Sequence, residues 1–233
     1  MQTEKERIEQ VYAERERTVP RDWYTYFNIG NLFMIQERER ILLRFLDRHE
    51  MNPLTGKAIL DLGCGAGGEL RNMVRYGASA GMLTGIDMLA DRIAKARELS
   101  PDIRFIEGSG TELPFETNSF DMVTQFTVFT SIVNAEVKAA VAGEMLRVLR
   151  PDGIILWYDF RYSNPGNKDV QGIGLREIKR LFPDCTYDHR TVTLLPPLTR
   201  RLAPISWIAC TLMGTVPVLR SHYLIVIRKR RQH

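Results

Sequence analysis

Cysteine is scarce in this chain. Cys64, Cys185 and Cys210 are the only three in 233 residues. An odd number at wide spacing argues against a disulfide framework or a zinc site. No ligand cluster stands at metal spacing elsewhere, so no metal is expected. A strong charge of one sign is missing too. The net charge is +4, and part of the excess sits in the tail Arg228-Lys229-Arg230-Arg231. Such a tail could touch phosphates or an anionic membrane surface, although a solvated terminus explains it as well. No basic stripe interleaved with aromatics crosses the chain, which disfavours nucleic acid as a partner. Long apolar runs are absent. The longest uncharged one, 202–219, is interrupted by Pro204, Gly214 and Pro217 and is marginal against the ~20 residues a membrane span needs. The first twenty residues are rich in Glu, Arg and Lys and do not read as a signal peptide, so the expected location is cytoplasmic. No internal repeat or low-complexity segment is present.

What remains is the pattern of one soluble domain, with 44% apolar and 26% charged residues and length enough for a sizeable core. A charged helix is expected over 3–17, stopped before Pro20. The aromatic segment Trp23-Tyr24-Thr25-Tyr26-Phe27-Asn28 follows. Ile35, Ile41, Leu42, Phe45 and Leu46 stand at helical spacing in a second helix closed by Pro53 and Gly56. From residue 58 the pattern alternates. Strands are expected over 58–62, 82–87, 103–107, 120–126 and 154–159, with helices over 68–76, 90–99 and 135–149. Such alternation implies βαβ crossovers and a parallel sheet. A helix over 174–182 and strands over 186–194 and 223–227 complete the chain, the last two separated by a long apolar insertion. The expected fold is α/β: a Rossmann-like, doubly wound sheet, mostly parallel with an antiparallel last strand. Its parts are a helical cap (1–56), a nucleotide-binding core (57–194), the insertion (195–221), and the last strand with the basic tail (222–233).

The run Ile59-Leu60-Asp61-Leu62-Gly63-Cys64-Gly65-Ala66-Gly67-Gly68 puts a carboxylate and a glycine-rich turn directly after an apolar strand. In an open parallel sheet, ligands sit beyond the carboxyl ends of the strands, and Gly63, Gly65 and Gly67 let the backbone approach one closely. Two readings compete. Gly63, Gly65 and Gly68 satisfy G-x-G-x-x-G, and Asp87 follows 19 residues later, as in a dinucleotide fingerprint. That reading makes the protein an NAD(P)-dependent oxidoreductase. Asp61 weighs against it, because a carboxylate beside the turn repels a pyrophosphate and attracts the ammonium of a methionine moiety. A strand-end carboxylate that caps the turn is the bland alternative.

Further residues carry a resemblance. Asp61-Leu62-Gly63-Cys64-Gly65-Ala66-Gly67, Gly85-Ile86-Asp87, Glu112-Leu113-Pro114-Phe115, Ser119-Phe120-Asp121 and Met145-Leu146-Arg147-Val148-Leu149-Arg150-Pro151-Asp152-Gly153 stand in one order and spacing. In these the chain resembles a class I S-adenosylmethionine-dependent methyltransferase of the small-molecule group, over residues 59–159. The resemblance implies S-adenosylmethionine as donor, S-adenosylhomocysteine as product, and roles for several residues. Asp61 would face the methionine amino group. The turn Gly63, Cys64, Gly65, Gly67 would pass under the ligand. Asp87 would accept hydrogen bonds from both ribose hydroxyls, which suits an acceptor-only carboxylate. Met88 would pack on the adenine, with Ser109 and Gly110 along its edge. Gln125 and Phe126 would border the methionine. Two departures stand out. Gly108-Ser109-Gly110 replaces the family's frequent Gly-Asp-Ala. The loop Val128-Phe129-Thr130-Ser131-Ile132 also lacks a histidine often found there, so no general base carries over.

Methyl transfer is an in-line displacement from an activated donor, so alignment is the protein's main task. A base is needed only where the acceptor must lose a proton. Acceptor contacts are sought outside the nucleotide motifs. Tyr24 and Tyr26 in the aromatic segment could close over the sulfonium or simply join the core. Asp159 and Arg161, in Tyr158-Asp159-Phe160-Arg161-Tyr162, stand at a strand end, with Asp159 as a candidate for orienting a hydroxyl or as a solvated terminus. Trp207 lies in the insertion with Ile208, Leu212 and Met213, flanked by Arg200, Arg201 and Arg220. That stretch could hold an apolar or lipid-linked acceptor, form a dimer face, touch the inner membrane surface, or serve as a core helix. His222 is a second catalytic candidate against a structural reading. From residue 157 on, Trp157-Tyr158-Asp159-Phe160-Arg161-Tyr162, Arg176-Glu177-Ile178-Lys179-Arg180-Leu181-Phe182-Pro183 and Leu195-Pro196-Pro197 are similar to bacterial methyltransferases of surface-glycan assembly. That similarity favours a sugar hydroxyl, free or lipid-linked. A catalytically silent nucleoside-binding fold acting through the insertion is the other rival.

Overall fold

The short apolar runs become one seven-stranded sheet in the computed structural model, which describes residues 4–20, 22–163 and 170–230. The strands are β1 (Ile59–Leu62), β2 (Leu83–Asp87), β3 (Arg104–Glu107), β4 (Phe120–Phe126), β5 (Leu149–Phe160), β6 (Cys185–Leu194) and β7 (Arg220–Lys229). Their order is β3-β2-β1-β4-β5-β7-β6. β1 to β5 pair in parallel, and β7 runs antiparallel to both β5 and β6. The fold is the expected Rossmann-like one. The order reverses beside β1, whose carboxyl end leads into the glycine turn, and that is where an open α/β sheet binds ligands.

The helices are α1 (Glu4–Thr18), α2 (Ile29–Arg48), α3 (Gly68–Arg75), α4 (Ala90–Leu99), α5 (Ala135–Val148), α6 (Leu175–Leu181), α7 (Pro196–Leu202) and α8 (Trp207–Met213). Local chemistry starts several of them. The Asn28 side chain accepts the Asn31 amide at 3.0 Å, Asn134 accepts those of Glu136 and Val137, and Ser206 accepts that of Ala209. Each satisfies an amide that the first helical turn leaves open. Leu42, Phe45 and Leu46 of α2 join Leu70, Met73, Ile93 and Ala96 of α3 and α4 over one face of the sheet. Val141, Met145 and Val148 of α5 join Ile178 of α6 on the other. Helices on both faces explain why β1 is buried at all four positions; a strand covered on both sides reads as an unbroken apolar run.

Most bounds fall within a residue of expectation, and two strands are longer than expected. β5 starts at Leu149, not 154, because Leu149 pairs with Phe120 before the register shifts and resumes at Ile154. β7 runs from 220 to 229, since its polar ends pair with Leu194 and Cys185 of β6; Arg220, Arg228 and Lys229 carry no apolar signal. The insertion holds two short helices, and α7 packs against α2.

Candidate functional site

The glycine turn is set by backbone geometry. Gly63, Gly65 and Gly67 have φ of +67°, +51° and +78°, values that favour residues without a Cβ. Space is short as well. A Cβ on Gly63 would lie 2.5 Å from Val128 Cγ2, and one on Gly67 2.7 Å from Phe105 Cζ. Two amides at the start of the turn, of Gly63 and Cys64, donate to the Ile86 carbonyl at 2.8 and 3.1 Å. Cys64 is buried, and burial pushes its thiol well above the usual range. It is a packing group, with its sulfur against Gly85.

Asp87 ends β2 and organises the same turn. Its Oδ2 accepts the Gly65 amide at 2.8 Å and its Oδ1 accepts the Leu89 amide at 2.9 Å. A carboxylate offers about four lone-pair sites, so each oxygen keeps capacity for a ligand hydroxyl. Met88 follows, half-buried. Across the cleft, the Ser109 hydroxyl accepts the Thr111 amide at 3.2 Å and lies 2.7 Å from the Thr111 hydroxyl. Gly110 lies beside Leu62 and Val141.

Asp61 is buried, and its Oδ1 accepts the Thr124 hydroxyl at 2.7 Å. Burial raises its pKa to about 8, with Glu69 and Asp87 adding to the rise and Thr124 and Arg38 opposing it. Arg38 and Glu69 were not singled out from sequence. Arg38 of α2 donates to Glu69 Oε1 at 2.6 Å and lies 5.2 Å from the Phe126 ring centre and 5.1 Å from that of Tyr158. A signal existed: Arg38 lies seven residues before Phe45 and four before Leu42, on the inward face, and a charge there calls for a partner. Together Asp61, Glu69, Arg38 and Phe126 make a mixed-charge, aromatic-walled patch beside the glycine turn. Among the described residues no group of three or more His, Cys, Asp or Glu side chains gathers as a metal site.

The expectations for Gln125, beside the methionine, for Tyr26, over the sulfonium, and for the acceptor contacts fare differently. Gln125 is fully buried; its Oε1 accepts the Val128 amide at 3.0 Å and its Nε2 reaches toward the Tyr158 carbonyl at 3.5 Å. It braces the loop after β4. Asp159 corrects the expectation of a strand end facing solvent or acceptor. It is 0% exposed, accepts the Thr130 hydroxyl at 2.5 Å, and also accepts the amides of Thr130 and Phe160. Its carboxylate is spent on the 129–131 turn, because that turn folds back over the end of β5. Burial lifts it to about 6 against those hydrogen bonds. Arg161 donates to the Pro217 carbonyl at 3.0 Å and stacks near Tyr162 and Tyr223. Tyr24 and Tyr26 are exposed, which removes the core reading. Tyr26 shares a hydrogen bond with Arg75. Arg75 is the last residue of α3, whose first turn adjoins the glycines, so Tyr26 stands at the wrong end of that helix to touch the turn. Trp207 packs edge-on against Phe33, 5.5 Å between ring centres.

His222 is buried between two rings. It stacks on Tyr158, 4.5 Å apart and 7° from parallel, and lies 3.9 Å from Phe160. Its Nδ1 is 2.8 Å from Ser221 Oγ, and that hydroxyl donates to the Thr193 carbonyl at 3.0 Å. A hydroxyl has one proton. With it given to Thr193, Ser221 receives a proton from Nδ1, and the Nε2 of a neutral ring keeps its lone pair. Burial and the nearby Arg38 hold the ring neutral by lowering its pKa to about 3.

A doubly wound sheet with a glycine turn at its switch point, an acid at the end of β2 that pins the turn and a buried acid on β1 is the frame in which open α/β sheets bind ligands. Residues 59–153 match the family described as "Methyltransferase domain". The chain is 33% identical over 132 residues to the phthiotriol/phenolphthiotriol dimycocerosates methyltransferase 1 of Mycobacterium ulcerans, covering 54% of this chain and 47% of that protein. It is 33% identical over 128 residues to the demethylmenaquinone methyltransferase of Lactococcus lactis, covering 53% and 50%. The chain thus spans about half the length of these relatives. A crystal structure described as a SAM-dependent methyltransferase of Methanosarcina mazei superposes with a TM-score of 0.54 at 18% identity, covering 74% and 92%, a likeness of fold. Over residues 59–153 the chain is thus similar to a methyltransferase domain, and its relatives over that half are S-adenosylmethionine-type methyltransferases in fold and name.

Proposed function

We propose that the protein transfers a methyl group from S-adenosylmethionine to a small or lipid-linked acceptor, most simply at a hydroxyl. One observation carries this reading. The turn that Asp87 pins through the Gly65 amide follows directly on Asp61, a buried acid suited to an ammonium. An ammonium brought to that turn would draw the Asp61 carboxyl into its charged form and pair with it, a gain that a pyrophosphate could not have. The donor supplies an already activated methyl group. The chain's own task is to grip it and align the acceptor. Asp87 would hold the ribose hydroxyls and Asp61 the amine, while Arg38 supplies a positive charge on the same side. The relatives' names refer to a demethylmenaquinone and to phthiotriol dimycocerosates, which favours an acceptor with an apolar body. A sugar hydroxyl carried on a lipid remains the finer form of this proposal. Calorimetric titration tests the donor half. S-adenosylhomocysteine should bind, and NAD and NADP should give no heat. Tight dinucleotide binding would overturn the reading.

His222 takes the place left by Asp159. A hydroxyl oxygen becomes strongly acidic only as its bond to carbon forms, so a weak base that is neutral beforehand is enough to take the proton, becoming an imidazolium that then passes it to water. Nε2 of His222 has that form. His222→Phe keeps an aromatic ring between Tyr158 and Phe160 and removes the nitrogens. The expected result is a turnover rate lower by about 10²-fold or more, the range of general-base catalysis, with unchanged affinity for S-adenosylhomocysteine. An undiminished rate would assign His222 to packing alone.

A further inference from the structure

We propose that the apolar face formed jointly by residues 23–29 and 205–218 docks the protein onto an anionic lipid bilayer. Its apolar side chains stand open to solvent. Phe27 is 97% exposed, Ile205 81%, Ile208 74%, Val218 65% and Leu212 64%. Exposed apolar side chains gathered from neighbouring segments mark an interaction site. The two segments adjoin. Arg200 of α7 stacks 4.3 Å over Trp23. A Cβ on Gly30 would lie 2.7 Å from the Arg200 Cα, and Phe33 carries Trp207.

Charge selects the occupant. Residues 23–35 contain no charged side chain, and residues 195–221 contain Arg200, Arg201 and Arg220 but no acid. Arg220 is turned inward, donating to the carbonyls of Gly214 and Thr191, and Arg201 is exposed. A two-fold pairing of this face with a second copy would set arginine against arginine with no acid between them. An anionic bilayer matches both features, with apolar side chains entering the acyl boundary and the exposed arginine meeting phosphates. No helix of the described residues is long and apolar enough to cross a membrane, so the contact is in the plane of the surface.

The face also borders the site. Pro217 and Leu219 lead into β7, where His222 pairs with Phe160 at the carboxyl edge of β5. A lipid-linked acceptor held in the bilayer would then reach the cleft without leaving it. That last point rests on the proposed function, while the docking itself does not.

The test is sedimentation of the full chain with vesicles, without donor or acceptor, so its outcome is independent of methyl transfer. Vesicles of phosphatidylcholine with about a third phosphatidylglycerol should carry the protein down, and pure phosphatidylcholine vesicles much less. The double variant Ile208→Glu, Leu212→Glu should bind about tenfold more weakly or worse, while keeping the wild-type circular dichroism spectrum and Tm as evidence of folding. Arg201→Glu should reduce the preference for phosphatidylglycerol. No sedimentation with either vesicle would overturn the proposal, as would equal sedimentation of the double variant. Light scattering that finds a dimer dissociated by the double variant would assign the face to a second copy instead.

Discussion

Asp87→Ala should weaken binding of S-adenosylhomocysteine by about 30- to 1000-fold, ~2–4 kcal/mol. The carboxylate has two tasks. It receives the Gly65 and Leu89 amides, and under the proposed function it also receives ribose hydroxyls. Hydrogen bonds to a charged group contribute ~1.5–3 kcal/mol each. Removing the acid therefore releases the glycine turn and deletes a ligand contact together. Asp87→Asn retains one acceptor oxygen and should lie between wild type and alanine. Titration calorimetry decides the matter, and an unchanged affinity for the alanine variant would mean that the nucleoside is held elsewhere.

The second large effect is in pH. Burial holds the donor-free Asp61 carboxyl at about 8, so near neutrality it carries a proton. An arriving ammonium favours the charged form and expels that proton. Binding of S-adenosylhomocysteine should therefore strengthen, by up to about tenfold per pH unit, as pH rises toward about 8, and then level off. Below that value, calorimetry in buffers of different ionisation enthalpy should detect about one proton released per ligand bound. Asp61→Asn should abolish both the slope and the release. Stability has the opposite sign. The folded pKa lies above the ordinary carboxylate value of about 3.9, so the folded donor-free chain binds more protons than the unfolded one between about pH 4 and 8. Its stability falls as pH rises through that window. Asp61→Asn should thus raise Tm most at about pH 8 and little at about pH 4. An affinity independent of pH would remove Asp61 from the amine site.

The donor half of the site was largely legible in the sequence because it is local. Asp61 and the glycines lie within seven residues of one another, and their constraint is on the backbone, which glycine reports directly. Asp87 was legible because a strand of fixed length carries it to the same edge. The acceptor half was not. Asp159 looked accessible because it ends a strand, and only the fold-back of residues 129–131 buries it. Tyr26 looked close to the donor because it precedes the core, yet it meets Arg75 at the far end of α3. His222 acquires its tautomer from Ser221 and Thr193; the β6–β7 pairing, which sets Val192 opposite His222, brings Thr193 to it across the insertion.

By itself the sequence determined the α/β class, the parallel core and the place of the glycine turn. Strand and helix periods, and the demand for positive φ, are properties of short stretches of chain. Tertiary structure alone decided which charged groups meet. Arg38 reaches Glu69 from another helix, Asp61 is enclosed, Asp159 is consumed by a turn, and α7 and α8 come against Trp23 and Phe33. Burial and charge pairing depend on what the rest of the fold brings within a few ångströms, and no local pattern carries that information.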